Sequence, residues 1–105
     1  MPGDLFLSFR ELLSQTSEIR NSVAHYAALL KSTPQNLNAV CRKTVNQSAA
    51  AVLSEHIIGE AKRLLLYTGN TTSEIAFALD FTDASHFIKY FKRYIGQTPN
   101  VFRNS

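Results

Sequence analysis

One pattern of residues occurs twice in this chain, about fifty positions apart, and it restricts the available folds more than any total does. Tyr26-Ala27 and Leu30 recur as Ile75-Ala76 and Leu79, and Leu37 and Cys41 as Phe87 and Phe91. Arg42-Lys43 recurs as Lys92-Arg93, and Asn46-Gln47 as Gly96-Gln97. The second copy carries one extra residue in its turn. Apolar residues fall three and four positions apart in nearly every segment, the spacing of a helix with one buried face. Strand-like alternation of β-branched residues is absent, so the expected fold class is all-α.

Local signals set the helix boundaries. Leu5, Phe9, Leu12 and Leu13 form the stripe of a first helix, with Asp4 as its cap. Ser22 to Leu30 reads as a short capped helix. Thr33-Pro34 opens the next, with Thr as N-cap and Pro at the first helical position, where its missing N–H does no harm. That helix turns Leu37, Val40 and Cys41 inward and ends near Val45-Asn46. Residues 48 to about 68 form one long helix, in which Gly59 costs about 1 kcal/mol relative to Ala without breaking it. Thr71-x-x-Glu74 is a capping box, and Thr98-Pro99 repeats the cap-plus-proline device at the end. The expectation is about seven helices: a first helix-turn-helix subdomain (1–47), a linker helix (48–68) and a second subdomain (69–105).

The helix from Asp83 to Ile95 separates sharply when turned at about 100° per residue. Ala84, Phe87, Ile88, Phe91, Tyr94 and Ile95 share one arc, with Tyr90 at its edge; Ser85, His86, Lys89, Lys92 and Arg93 share the other. A solvated surface face is the ordinary meaning of such a polar arc, but surface faces usually mix both signs, and this one has no carboxylate. No acidic residue follows Asp83, while Lys89, Lys92, Arg93 and Arg103 do, so the net charge of +3 is concentrated near this helix. Double-stranded DNA is the partner such a helix suits. Lys89 can donate to guanine O6 or N7, and Ser85 and His86 can meet base edges. Lys92 and Arg93 suit phosphates, which position a protein without specifying sequence. In the first copy Gln35, Asn38, Ala39 and Arg42 face outward; Gln and Asn can pair with adenine, and Ala39 can touch a thymine methyl. A linker helix of about 30 Å compares with the 34–36 Å, approximately, between successive major grooves on one face of the duplex. A monomer meeting an asymmetric site in two adjacent grooves is the expected arrangement.

Other classes fit less well. His25, His56 and His86 are scattered, no nucleophile–base spacing or phosphate-cradling glycine loop occurs, and no enzyme activity, metal or cofactor is expected. Cys41 is the only cysteine, which rules out an intrachain disulfide or a multi-thiolate metal site. No apolar run approaches a membrane span, and the N-terminus lacks a secretory pattern, so the expected location is the cytoplasm, at the nucleoid. The alternative from another class is a helical protein-interaction module docking on RNA polymerase or a partner regulator. Its mark would be an exposed apolar patch, for which Leu5-Phe6-Leu7 is the candidate.

Glu74-Ile75-Ala76-Phe77-Ala78-Leu79-Asp80-Phe81, then Ser85-His86-Phe87, Phe91-Lys92, Gly96 and Thr98-Pro99, resembles the signature of the AraC/XylS family of bacterial transcription regulators. That signature runs I-A-x-x-L-G-F, S-x-F, F-K, G and T-P, and the likeness covers nearly the whole chain. It implies the C-terminal DNA-binding domain of a promoter-binding regulator, usually an activator. Family members often carry an effector or dimerisation domain upstream, so this chain would be the output module, either of a longer regulator or as a small stand-alone one, and RNA polymerase would be a further partner. The family's base-reading positions fall on Gln35, Asn38 and Ala39, and on Ser85, His86 and Lys89. The expected phosphate contacts are Thr33, Arg42, Thr71, Lys92 and Arg93. Two departures stand out. Ala39 replaces a side chain that is often long, so the first unit leans toward positioning. Asp80 replaces the glycine of the second turn, where a left-handed backbone is expected at some cost.

Overall fold

In the computed structural model, which describes residues 2–15 and 18–105, seven helices follow one another among the described residues, with no strand. They are α1 (Pro2–Gln15), α2 (Val23–Leu29), α3 (Pro34–Val45), α4 (Ala49–Tyr67), α5 (Thr72–Ala78), α6 (Ala84–Ile95) and α7 (Pro99–Arg103). The all-α expectation holds. The chain divides inside α4 into two compact units, Met1–His56 and Ile57–Ser105.

The caps are those the local chemistry calls for. Thr33 Oγ1 accepts from the Asn36 N–H, Thr98 Oγ1 from Val101, Ser22 Oγ from His25 and Ser48 Oγ from Ala51. Each satisfies one of the four N–H groups that a helix start leaves without a partner. At α5 the capping box is complete, with Glu74 N–H on Thr71 Oγ1 at 3.1 Å and Thr71 N–H on Glu74 Oε1 at 2.8 Å. The first helix departs from expectation: α1 already starts at Pro2, so Asp4 lies in its first turn, favourable for the helix dipole but not the N-cap.

In the first unit, α1 and α2 both pack on α3. Phe9, Tyr26, Leu37 and Cys41 are fully enclosed. The Phe9 and Tyr26 rings lie 6.0 Å apart, and the Tyr26 hydroxyl accepts the Arg20 N–H at 3.0 Å. Phe6 joins this core, which leaves Leu7 exposed beside it and breaks up the Leu5-Phe6-Leu7 patch that the alternative reading offered as its candidate. In the second unit α6 packs on α5 and α7. Its core is aromatic: Phe87 sits 5.4 Å from Phe81 and 5.9 Å from Phe91, and Phe91 sits 5.5 Å from Phe102. Tyr94 departs from the expected apolar arc, since half of its surface is exposed.

The turn between the paired helices is built the same way twice. In the first unit Lys31 N–H bonds Ala28 O and Ser32 N–H bonds Ala27 O; in the second, Asp80 N–H bonds Phe77 O and Phe81 N–H bonds Ala76 O. This double bond pattern ends a helix through a left-handed residue, here Lys31 at φ 55° and Asp80 at φ 66°. The left-handed backbone expected at Asp80 is therefore present. Helices α3 and α6 also end alike, on left-handed Asn46 (φ 59°) and Gly96 (φ 87°).

Arg103 takes a role its charge did not suggest. Its Nε donates to Leu65 O at 2.9 Å, and its Nη2 to the carbonyls of Thr68 at 3.3 Å and Leu64 at 3.5 Å. A guanidinium thus caps the Leu65 carbonyl at the C-terminal end of α4 and joins the Thr68 N–H on that of Leu64, where positive charge is favoured. Arg103 belongs to the fold of the second unit, not to the basic face of α6.

Candidate nucleic-acid interface

A helix offers a surface to a groove only if its opposite side is anchored. In α6 Phe87 and Phe91 are buried, whereas Ser85, His86, Lys89, Lys92 and Arg93 are exposed. In α3 Leu37, Val40 and Cys41 are buried, whereas Gln35, Asn36, Ala39, Arg42 and Lys43 are exposed. Neither helix contains a carboxylate. Lys89, Lys92, Arg93, Arg42 and Lys43 join no ion pair among the described residues; the charged pairs of Arg63 with Glu60 (2.9 Å) and of Arg20 with Glu18 (2.8 Å) lie elsewhere. These five cations remain available to an anionic partner.

His86 is held in orientation. Its Nδ1 lies 3.3 Å from Thr82 Oγ1, and its ring stands at 90° to that of Phe81 with centroids 5.3 Å apart. Nε2 is left for an outside partner, as donor or acceptor according to the tautomer that the Thr82 hydroxyl selects. The start of α6 is capped by Asp83, whose Oδ1 accepts the His86 N–H at 2.8 Å. The start of α3 is capped by the neutral Thr33. A phosphate approaching α3 meets no carboxylate there.

Two of the expected contact residues have other engagements. Asn38 is half-buried, and its Oδ1 accepts the Ala49 N–H at 3.0 Å, tying α3 to the first turn of α4. A bidentate pair with adenine needs the amide oxygen and nitrogen together; the Asn38 oxygen is already held on the Ala49 N–H and would have to share its second lone pair. At Thr71 the backbone N–H is taken by Glu74, and that hydrogen bond holds the Glu74 carboxyl below its usual range. The Thr71 side chain hydrogen-bonds that carboxylate as well, so a phosphate would compete for its hydroxyl beside a negative charge.

The repeat register adds residues that the sequence reading passed over. Position for position, Ser85, His86 and Lys89 match Gln35, Asn36 and Ala39, and Arg93 matches Lys43. Asn36 and Lys43 are both exposed, and the fifty-residue offset was signal enough to find them. Phe77, on α5, is 85% exposed, the most exposed large apolar side chain among the described residues. Its match in the first unit is Ala28.

Burial pushes the Cys41 thiol up from its ordinary value, which makes it a poor nucleophile. Among the described residues no three His, Cys, Asp or Glu side chains gather as a metal site would require. No helix of the described chain is long and apolar enough to cross a membrane.

A helix-turn-helix domain family model matches residues 26–105. The raffinose operon transcriptional regulatory protein RafR of Pediococcus pentosaceus is 30% identical over 83 residues, which are 79% of this chain and 29% of that protein. The chain thus spans less than a third of that relative's length. Among solved structures, a transcriptional regulator from Chromobacterium violaceum, described as an AraC-type DNA-binding domain-containing protein, superposes with a TM-score of 0.82 at 18% identity, covering 97% of this chain and 91% of that one. The DNA-binding domain of AdpA, solved in complex with a target DNA, gives a TM-score of 0.78 at 20% identity, covering 95% and 89%. At these identities the two structures establish the shared fold.

Proposed function

The chain belongs to the AraC-type helix-turn-helix family, the DNA-binding domains of transcription regulators, and we propose that it reads an asymmetric duplex site as a monomer, with α3 and α6 in two adjacent major grooves. The observation that carries this is α6: an anchored aromatic face opposite an exposed Ser85, His86, Lys89, Lys92, Arg93 face without a carboxylate. Lys89, His86 and Ser85 take base edges, with Lys89 on guanine. In α3 Gln35 and Ala39 do so, whereas Asn38, committed to the Ala49 N–H, holds α3 in place. Lys92, Arg93 and Arg42 take phosphates, as do the hydroxyls of Thr33 and Thr71. The 19 residues of α4 rise about 28 Å, which supports a reach near one groove repeat. The AdpA domain, solved with its target DNA, and the operon regulator support the same reading by likeness.

The biological output we assign is activation of transcription at the bacterial nucleoid, in the cytoplasm. RNA polymerase would be a second partner, and an effector or dimerisation domain upstream of this sequence would control it.

Selection of bound duplexes from a random library at moderate salt, followed by sequencing, tests this. One asymmetric motif with two blocks about a helical turn apart is the expected result. Lys89→Ala should relax the preference at one base position, and Lys92→Ala should weaken all sequences alike while lowering the salt slope by about one phosphate's worth, 0.9. Recovery of no motif, with binding abolished by salt, would overturn sequence-specific reading.

A further inference from the structure

The structure assigns base reading in the first unit to Asn36, with adenine as the base it selects, and makes Asn38 a positioning residue that secures α3 to α4. This rests on the DNA-reading function proposed above and deepens it.

Three observations converge. First, the repeat register sets Asn36 opposite His86, third in its recognition helix after the N-cap, just as His86 is third in α6. Both are exposed, and both give their backbone N–H to the cap residue, Thr33 or Asp83, which leaves the side chain uncommitted to capping. Second, Asn38 has its oxygen engaged with Ala49 inside the unit. The second unit explains why. The match of Ala49 is Pro99, which has no N–H, and the match of Asn38 is Ile88, which has no acceptor. Ile88 and Pro99 line the same small cleft. A donor and its acceptor are present in one copy and absent together in the other, the mark of a hydrogen bond serving the fold.

Third, α5 carries Thr71 with Glu74 at the third position and completes a capping box. Helix α3 has the same threonine cap, yet its third residue is Asn36. Glutamate would stabilise the helix start, whereas Asn is a poorer helix former inside the first turn. A carboxylate there would face phosphates; a neutral amide with both a donor and an acceptor can pair with adenine N7 and N6.

The test repeats the duplex selection with the wild type, Asn36→Ala and Asn38→Ala, and records the thermal midpoint of each. The expected result for Asn36→Ala is an unchanged midpoint and an unchanged α6 block, with one adenine preference in the α3 block falling by about tenfold. Asn38→Ala should lower the midpoint and leave base preference in place. The inference is overturned if Asn36→Ala retains every preference, or if Asn38→Ala erases a base at an unchanged midpoint. A wild-type motif with only the α6 block overturns it too, while leaving the DNA-reading function standing. A wild type that enriches no motif overturns both.

Discussion

The two halves of this chain arrive at one backbone by different side-chain chemistry. Their turns carry the same pair of hydrogen bonds and a left-handed residue at the same place, Lys31 in one and Asp80 in the other. Their core positions correspond, but the side chains that fill them differ. The second unit is filled by Phe87 and Phe91 on α6, with Phe81 from the turn before it and Phe102 from α7, while the first has Leu37 and Cys41 on α3 and draws its bulk from Phe6 and Phe9 on α1. Backbone geometry is set by caps and turns, which both copies keep; volume can come from whichever element lies nearest. Helix α6 therefore supplies large rings to its own core, while α3 sets smaller buried side chains, Leu37, Val40 and Cys41, against the rings of α1.

Substitution at matched positions should expose that difference most strongly in the cores. Phe91→Ala should cost about 3–5 kcal/mol, and Cys41→Ala only about 1 kcal/mol, by denaturant unfolding. Equal losses would mean that α3 and α6 are anchored alike.

The next effect concerns the Asn38–Ala49 bond. Asn38→Ile should destabilise by about 1–3 kcal/mol, because the Ala49 N–H loses its partner. Adding Ala49→Pro imports the second unit's solution and should restore most of that loss, a non-additivity readable in a double-mutant cycle. Simple addition of the two losses would refute the matched-pair account.

The turns should respond more mildly. Lys31→Gly should gain about 1 kcal/mol by relieving a left-handed non-glycine residue, and Asp80→Gly less, since Asp tolerates that region better. Thermal unfolding would show whether the order is reversed.

Smallest of all is the capping box that only the second unit has. The Glu74 carboxyl is lowered from its ordinary value by the Thr71 N–H. A lowered group adds stability above its unfolded value and loses it as pH falls through the folded one. Wild type should therefore exceed Glu74→Gln slightly at neutral pH, and the two should converge in acid. A gap that persists at low pH would place the effect elsewhere than in the ionised carboxylate.

Much of this was legible in the sequence because it is local. Thr33-Pro34, Thr71-x-x-Glu74 and Thr98-Pro99 act within one helical turn, and every one of them caps a helix where the sequence puts it. The apolar period separated the buried face of α6 from its basic face, apart from Tyr94, whose place on the arc did not guarantee cover. What escaped is what depends on residues distant in the chain. Asn38 looks outward on a helical wheel, and nothing local says that the Ala49 N–H needs it. Arg103 counts as one more positive charge until the carbonyls of α4 appear beside it. The extension of the first helix to Pro2, with Phe6 inside, likewise shows only once α1 has packed on α3.

The hold of Arg103 on the end of α4 has a bearing on how the chain forms during synthesis. It joins residues 38 positions apart, nearly the whole reach of the second unit. The first unit's tie between Asn38 and Ala49 spans only 11. Chains fold from the N-terminus as they emerge, so the first unit can close while the second is still being made. The second unit must wait for Arg103 before the end of α4 is sealed, and until then an unfinished aromatic core is exposed to whatever else is in the cell.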